Sequence, residues 1–246
     1  MEFETVALIA GLMCLGAVLY TSVGHGGASA YLAIMALCAV PMAAMKPTAL
    51  VLNLAAAGLT TARFVQAGQF NPRLFAMFAA TAIPMAFIGG RFQLPEELYR
   101  PLLGAVLWFA AARLLWPRPL RCLVEVRPPS LLITAPAGAA VGLLAGLTGT
   151  GGGIFLSPLI LLLGWEEPRK TSGVAAAFIF ANSAAGLAGN LSSLGKLPPE
   201  LPWFVGAVLV GAAIGTTVGI SGLPRARLLQ VLGLVLVVAG AKLLFT

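Results

Sequence analysis

The sequence predicts an all-α, polytopic membrane protein built from two inverted repeats. Each repeat holds a glycine-broken helix, a short half-helix and three further transmembrane helices. Three observations lead there. Charge is confined to the ends of long apolar runs, two matched glycine clusters interrupt such runs, and the segment after each cluster is too short to cross a bilayer.

Of the 246 residues, 59% are hydrophobic and only 9% are charged, whereas a soluble domain carries about 25% charged residues. No formal charge lies between Glu4 and Lys46, Arg127 and Glu166, Lys170 and Lys196, or Glu200 and Arg225 (His25 aside). Each run can hold a membrane helix of about 20 residues, and the first two can hold a pair. The net charge of +7 comes from basic residues scattered at segment ends. They form no dense stripe with interleaved aromatics, which excludes nucleic acid as a partner. The acidic start, Met1-Glu2-Phe3-Glu4, lacks the basic n-region of a secretory signal peptide, so the first segment is expected to be retained. Cys14, Cys38 and Cys122 are odd in number and have no metal-ligand spacing, and they read as small apolar filler.

Ten apolar segments follow from this pattern. The first five are Thr5–Ser22, Ala28–Val40, Pro47–Val65, Pro72–Gly89 and Leu98–Trp116. The second five are Ser130–Leu147, Ile154–Gly164, Thr171–Leu191, Leu201–Ile220 and Arg225–Phe245. The second segment of each set has only ~11–13 residues, or ~17–20 Å of helix, against a core of ~30 Å. Pro84, Pro136 and Pro158 fall inside segments and are expected to kink them.

The two sets match residue by residue. Gly24, Gly26 and Gly27 align with Gly149, Gly151 and Gly152, Lys46 with Lys170, and Gly58 with Gly186. Ala67-Gly68-Gln69-Phe70 aligns with Leu194-Gly195-Lys196-Leu197, and Leu102-Leu103-Gly104 with Val231-Leu232-Gly233. This is the mark of an internal duplication, with repeats at 1–116 and 130–246 joined by a linker at 117–129. If each short segment returns toward the side its predecessor came from, a repeat makes an odd number of net crossings, and its copy is inverted. If each cluster only kinks one long helix, the repeats are parallel. The linker's Arg118, Arg121 and Arg127 place it in the cytoplasm. Arg63, Arg73, Arg113, Arg169, Lys170, Arg225 and Arg227 then fall on the same side, and Lys46, Arg91, Arg100, Lys196 and Lys242 on the other. That bias obeys the positive-inside rule and puts both termini outside.

A glycine costs a helix about 1 kcal/mol, so the clusters need a reason. Each break gives the short segment a new N-terminus, at 26–28 and at 152–154, whose first N–H groups have no intrahelical partner. With about half a positive charge from each dipole, two such ends make an anion site from backbone. Candidate substrate-binding residues are Ser22, Gly24, His25, Gly26 and Gly27 in the first cluster. In the second they are Thr148, Gly149, Thr150, Gly151, Gly152 and Gly153. Asn53 and Asn182, one in each third segment, are ligand contacts or interhelical glue. The competing account of the glycines is close helix packing. Three consecutive glycines cover all sides of a helix, however, and form no stripe. The chain has no aspartate, and its glutamates all lie at segment ends. Cation pumps usually keep an intramembrane carboxylate, so an anionic substrate is expected. His25, with an unperturbed pKa of about 6.5, either supplies a titrating charge to the site or bonds a neighbouring carbonyl as a structural group. One histidine and no membrane carboxylate leave no catalytic constellation, and no enzyme activity or cofactor is expected.

The "GTGGG" cluster followed by Pro158, its partner "GHGG", and the "AGQFNPRL" turn resemble the TauE/SafE sulfite exporter family, also called the toluene sulfonate uptake permease family. The resemblance spans almost the whole chain. It implies a secondary transporter of the bacterial inner membrane that moves sulfite, organosulfonates or related anions. The alternative is a carrier or channel for another small anion, such as a carboxylate. The expected partners are the small anionic substrate and the lipid bilayer, with a homodimer as one option. His25 and Ala28 stand where the second cluster has Thr150 and Gly153, so the two clusters are not equivalent.

Overall fold

A computed structural model describes residues 3–115, 129–221 and 226–245. The linker arginines, Cys122 and Arg225 lie outside the described residues. Ten α-helices follow in order: α1 (Phe3–Thr21), α2 (Ala28–Leu37), α3 (Met42–Gln66), α4 (Pro72–Arg91), α5 (Glu96–Leu115), α6 (Leu131–Thr148), α7 (Gly153–Leu162), α8 (Pro168–Gly189), α9 (Leu201–Ser221) and α10 (Ala226–Phe245). A 3₁₀ turn, Leu191–Lys196, links α8 to α9. The described residues contain no strand. Among the described residues, six helices are long and apolar enough to cross a membrane by length and composition. The fold is an all-α polytopic membrane architecture.

The segments read from sequence fall on these helices, with one informative shift. α3 begins at Met42, not after Lys46, and Pro47 lies within it. Pro47 is the sixth residue of the helix, so the bond an N–H there would make to Ala43 O is missing. Lys46 is consequently inside a helix and 8% exposed. Its Nζ donates to Gly89 O (3.2 Å), Gly90 O (3.1 Å) and Phe92 O (3.0 Å), the orphan carbonyls at the end of α4. A cation at a helix C-terminus is where the dipole favours it. Helices α4, α6 and α7 continue through Pro84, Pro136 and Pro158.

Glycine lets the longest contacts come close. A Cβ on Gly142 or Gly146 of α6 would lie 2.2 Å from Ala82 O or Ala86 O of α4. On α9, a Cβ on Gly211 would lie 2.3 Å from Cys14 O and one on Gly215 2.3 Å from Val18 O, both on α1. In both pairs the numbers rise together, so the helices run parallel. Small residues at such crossings are how helices approach in lipid. Leu15, Leu132, Leu162, Trp203, Val210 and Val238 are exposed, and they present the apolar surface that a bilayer requires.

Helix direction can be read from the loops. α3 and α8 are antiparallel: Gly173 abuts Gln69 O and Gly186 abuts Leu50. α1 leads to Gly24, which packs on Ser172 at the start of α8. α6 leads to Gly149, which packs on Lys46 at the start of α3. Helices α1 and α6 therefore run in opposite senses.

Candidate functional site

The breaks at 22–27 and 149–152 are built on left-handed backbone. Gly24, Gly27, Gly149, Gly151 and Gly152 have φ of 79°, 99°, 83°, 74° and 81°, a region only glycine enters readily. At Gly27 the space is also taken, since a Cβ would lie 2.6 Å from the Tyr31 ring. After the breaks, α2 and α7 begin at Gly27 and Gly152 as N-caps, and neither cap has a side-chain hydrogen bond. The residues at both starts are buried: Ala28, Ser29 and Ala30 in one, Gly153 and Ile154 in the other. A buried helix N-terminus without a capping side chain leaves donors for something else to satisfy.

The two starts meet at one side chain. A Cβ on Gly26 would lie 2.6 Å from Asn53 Oδ1 and 2.9 Å from Ile179 Cγ2. A Cβ on Gly151 would lie 2.8 Å from Asn53 Nδ2 and 2.7 Å from the same Ile179 carbon. Asn53 is fully buried. Its Nδ2 donates to Ser183 Oγ at 3.2 Å, and its Oδ1 has no partner. Asn182, 1% exposed, has neither amide atom bonded. Buried amides are nearly always paired, so Asn53 Oδ1 at the breaks is an exception, and the Asn182 amide is a second, separate one.

Between the starts lies a cavity of ≈ 10 Å³, room for about one water. It is lined by Tyr20, His25, Gly26, Gly27, Thr150 and Ile179, among others. No carboxylate, lysine or arginine lines it. His25 Nδ1 sits 3.1 Å from Val23 O, which fixes the ring against its own loop and leaves Nε2 as the other polar atom. Thr148 Oγ1 bonds Leu144 O at 2.7 Å and Thr150 Oγ1 at 2.9 Å.

The structure thus gathers His25, Gly26, Gly27, Thr150, Gly151 and Asn53 around one point. Gly153 borders it through Ile179, which a Cβ would approach to 2.3 Å. Other candidates sit elsewhere. Gly24 packs on Ser172, Gly149 on Lys46, and Gly152 on Val141 and Phe178. The Ser22 hydroxyl donates to Leu19 O of its own helix.

The sequence reading missed the tyrosines. The chain has three, and each hydroxyl serves a break. Tyr20 accepts from Ser29 Oγ (2.7 Å), Tyr31 donates to Gly26 O (2.8 Å), and Tyr99 donates to Thr148 O (3.0 Å). A residue type this sparse, flanking both sides of one cluster, was the available signal.

A bundle with six helices long and apolar enough to cross a membrane among its described residues is a multi-pass membrane protein. The profile of the family described as "Sulfite exporter TauE/SafE" matches residues 8–243, and the chain belongs to that family. A protein of Sinorhizobium fredii (strain NBRC 101917 / NGR234), named "Probable membrane transporter protein y4hK", is 37% identical over 255 residues, covering 100% of both chains. No solved structure matches the chain. The chain is a membrane transporter and not an enzyme.

Proposed function

We propose that this transporter moves small sulfur-containing anions, sulfite or organosulfonates, across the bacterial inner membrane, and that the convergence of α2 and α7 on Asn53 is its substrate site. The observation that carries the reading is the pair of uncapped, buried helix N-termini sharing one amide whose Oδ1 is unpartnered. Two dipole ends of about +0.5 each match one negative charge. The donors open to an anion there are the backbone N–H groups of the two helix starts and the second hydrogen of Asn53 Nδ2. A bare oxyanion supplies no donor to Asn53 Oδ1. A protonated oxyanion such as bisulfite does, and so does an amide turned over to accept from Ser183.

The cavity holds about one water and no sulfur oxyanion, so the conformation described is a closed one. Transport then requires the breaks to part toward one side at a time. In this reading the halves 1–116 and 130–246 are inverted repeats, and access alternates at the two breaks. The opposite senses of α1 and α6, and the exchange of partners between α1·α9 and α6·α4, support it. The linker 117–129 lies in the cytoplasm and both termini in the periplasm, as the arginine bias suggests.

Counterflow in proteoliposomes with sulfite, thiosulfate, sulfate, taurine, sulfoacetate and acetate tests the substrate. The expected result is saturable exchange of sulfur anions that acetate does not inhibit. Acetate exchange at equal or higher rate would replace this reading with a carboxylate carrier.

A further inference from the structure

We infer that a second cavity, where α3 begins and α4 and α8 end, is an oxyanion antechamber leading to the second glycine break. The inference rests on the anion-transport reading above. The cavity is ≈ 180 Å³ and polar along one side, with Lys46, Gln93, Glu96, Tyr99, Asn190 and Lys196 in its wall. A small oxyanion fits that volume, unlike the water-sized space between the two helix starts.

The wall carries excess positive charge. Lys46 spends its three N–H bonds on α4 carbonyls, yet a helix end offers only about −0.5 against its +1. Lys196 adds a second cation. Glu96, the carboxylate in the wall, is paired with Arg100 one turn on. The wall also holds an unused donor. Asn190 is 1% exposed, and its Oδ1 accepts from Gln93 Nε2 at 3.2 Å. Its Nδ2 has no partner. Gln93 is held by Ser193 Oγ at 2.7 Å as well, so the amide pair is tied together with a donor left over. An anion completes that pattern, because it gives the buried Nδ2 an acceptor once the Asn190 side chain turns to the cavity, in a field that two lysines make positive.

The cavity also touches the second break. Leu147 lines it, the Lys46 backbone packs on Gly149, and Tyr99 bonds the carbonyl of Thr148. An anion held here lies beside the residues that lead into the second break.

The test uses purified full-length protein in detergent, with Cys14, Cys38 and Cys122 changed to Ser and a single thiol introduced as Ala43→Cys, which lies in the cavity wall. Maleimide labelling is timed against methanesulfonate, sulfate, acetate and chloride. Methanesulfonate or sulfate is expected to slow labelling. Asn190→Ala and Lys196→Gln should each raise the half-protecting concentration about tenfold, and Asn53→Ala should leave it unchanged. If Asn190→Ala folds poorly, Lys196→Gln on the 3₁₀ turn carries the test alone. Protection by none of the four anions would overturn the antechamber, and so would loss of protection in Asn53→Ala. Protection by acetate but neither sulfur anion would keep the antechamber and remove the sulfur substrate.

Discussion

Gly26→Ala adds one methyl group where the proposed anion sits and nowhere else. Gly26 lies outside the left-handed region, so the backbone accepts alanine. The new Cβ would sit 2.6 Å from Asn53 Oδ1 and 2.9 Å from Ile179 Cγ2, closer than carbon contacts allow. Overpacking of this size costs about 1–3 kcal/mol. If the strain falls on the site, apparent affinity drops roughly 5- to 140-fold, at 1.4 kcal/mol per tenfold. The control is Gly58→Ala, whose Cβ meets the Phe180 ring at 3.2 Å, and Phe180 is exposed enough to give way. Both variants are reconstituted, and counterflow KM and maximal rate are compared at matched protein levels. Gly26→Ala should raise KM while the folded yield stays near that of Gly58→Ala. An unchanged KM in Gly26→Ala, or an equal rise in Gly58→Ala, refutes the placement of the anion at the break.

Gly152→Leu should lose folded protein and not only transport, because Gly152 is left-handed and a Cβ there meets Val141 at 2.8 Å and Phe178 at 3.1 Å; size-exclusion of the extracted protein reads this, and a well-folded but inactive variant would instead put the substrate at Gly152. Lys46→Met strips three carbonyls of their donor, at about 1–3 kcal/mol for each that stays buried and unpaired, so its melting point should fall well below wild type; an unchanged melting point would mean water replaces the ammonium. Because His25 Nδ1 already faces Val23 O, His25→Gln, whose amide also donates, should keep most transport with an unchanged profile between about pH 5.5 and 7.5, and a flattened profile would make His25 the coupling group. Single-thiol labelling of intact cells should find the two termini on one side and residues 117–129 on the other; termini on opposite sides would sink the inverted arrangement.

The glycine clusters were legible because nothing else explains three adjacent glycines in an apolar run, and α2 and α7 begin where those clusters end. The start of α3 was not legible. Lys46 reads as the edge of a segment when charge alone is followed, and only the carbonyls of α4, about forty residues on, show why a lysine can be buried there. Within the site, sequence order grouped residues that space divides. Ser22 and Gly24 share a loop with Gly26, yet the loop turns so tightly that one bonds back to α1 and the other faces α8. Ile179 could not have been singled out, since an isoleucine beside a substrate and one in a core look alike in sequence. The tyrosines were hidden by their dual character: a count of apolar residues absorbs them, while the hydroxyls of Tyr31 and Tyr99 hold break carbonyls and that of Tyr20 holds Ser29.

The glycine seams between α1 and α9 and between α4 and α6 have a mechanical consequence. Each joins a helix from one half of the chain to a helix from the other, at a distance that leaves no room for side chains to slide. Both apolar cores likewise draw residues from the two halves. A half on its own is therefore not a complete packing unit. If the seams hold through a transport cycle, the bodies that move are hybrids, each stitched from both halves. Cutting the chain within 117–129 should leave such hybrids able to work when both pieces are made together, whereas either piece made alone has lost the helix its tightest seam was shaped to receive.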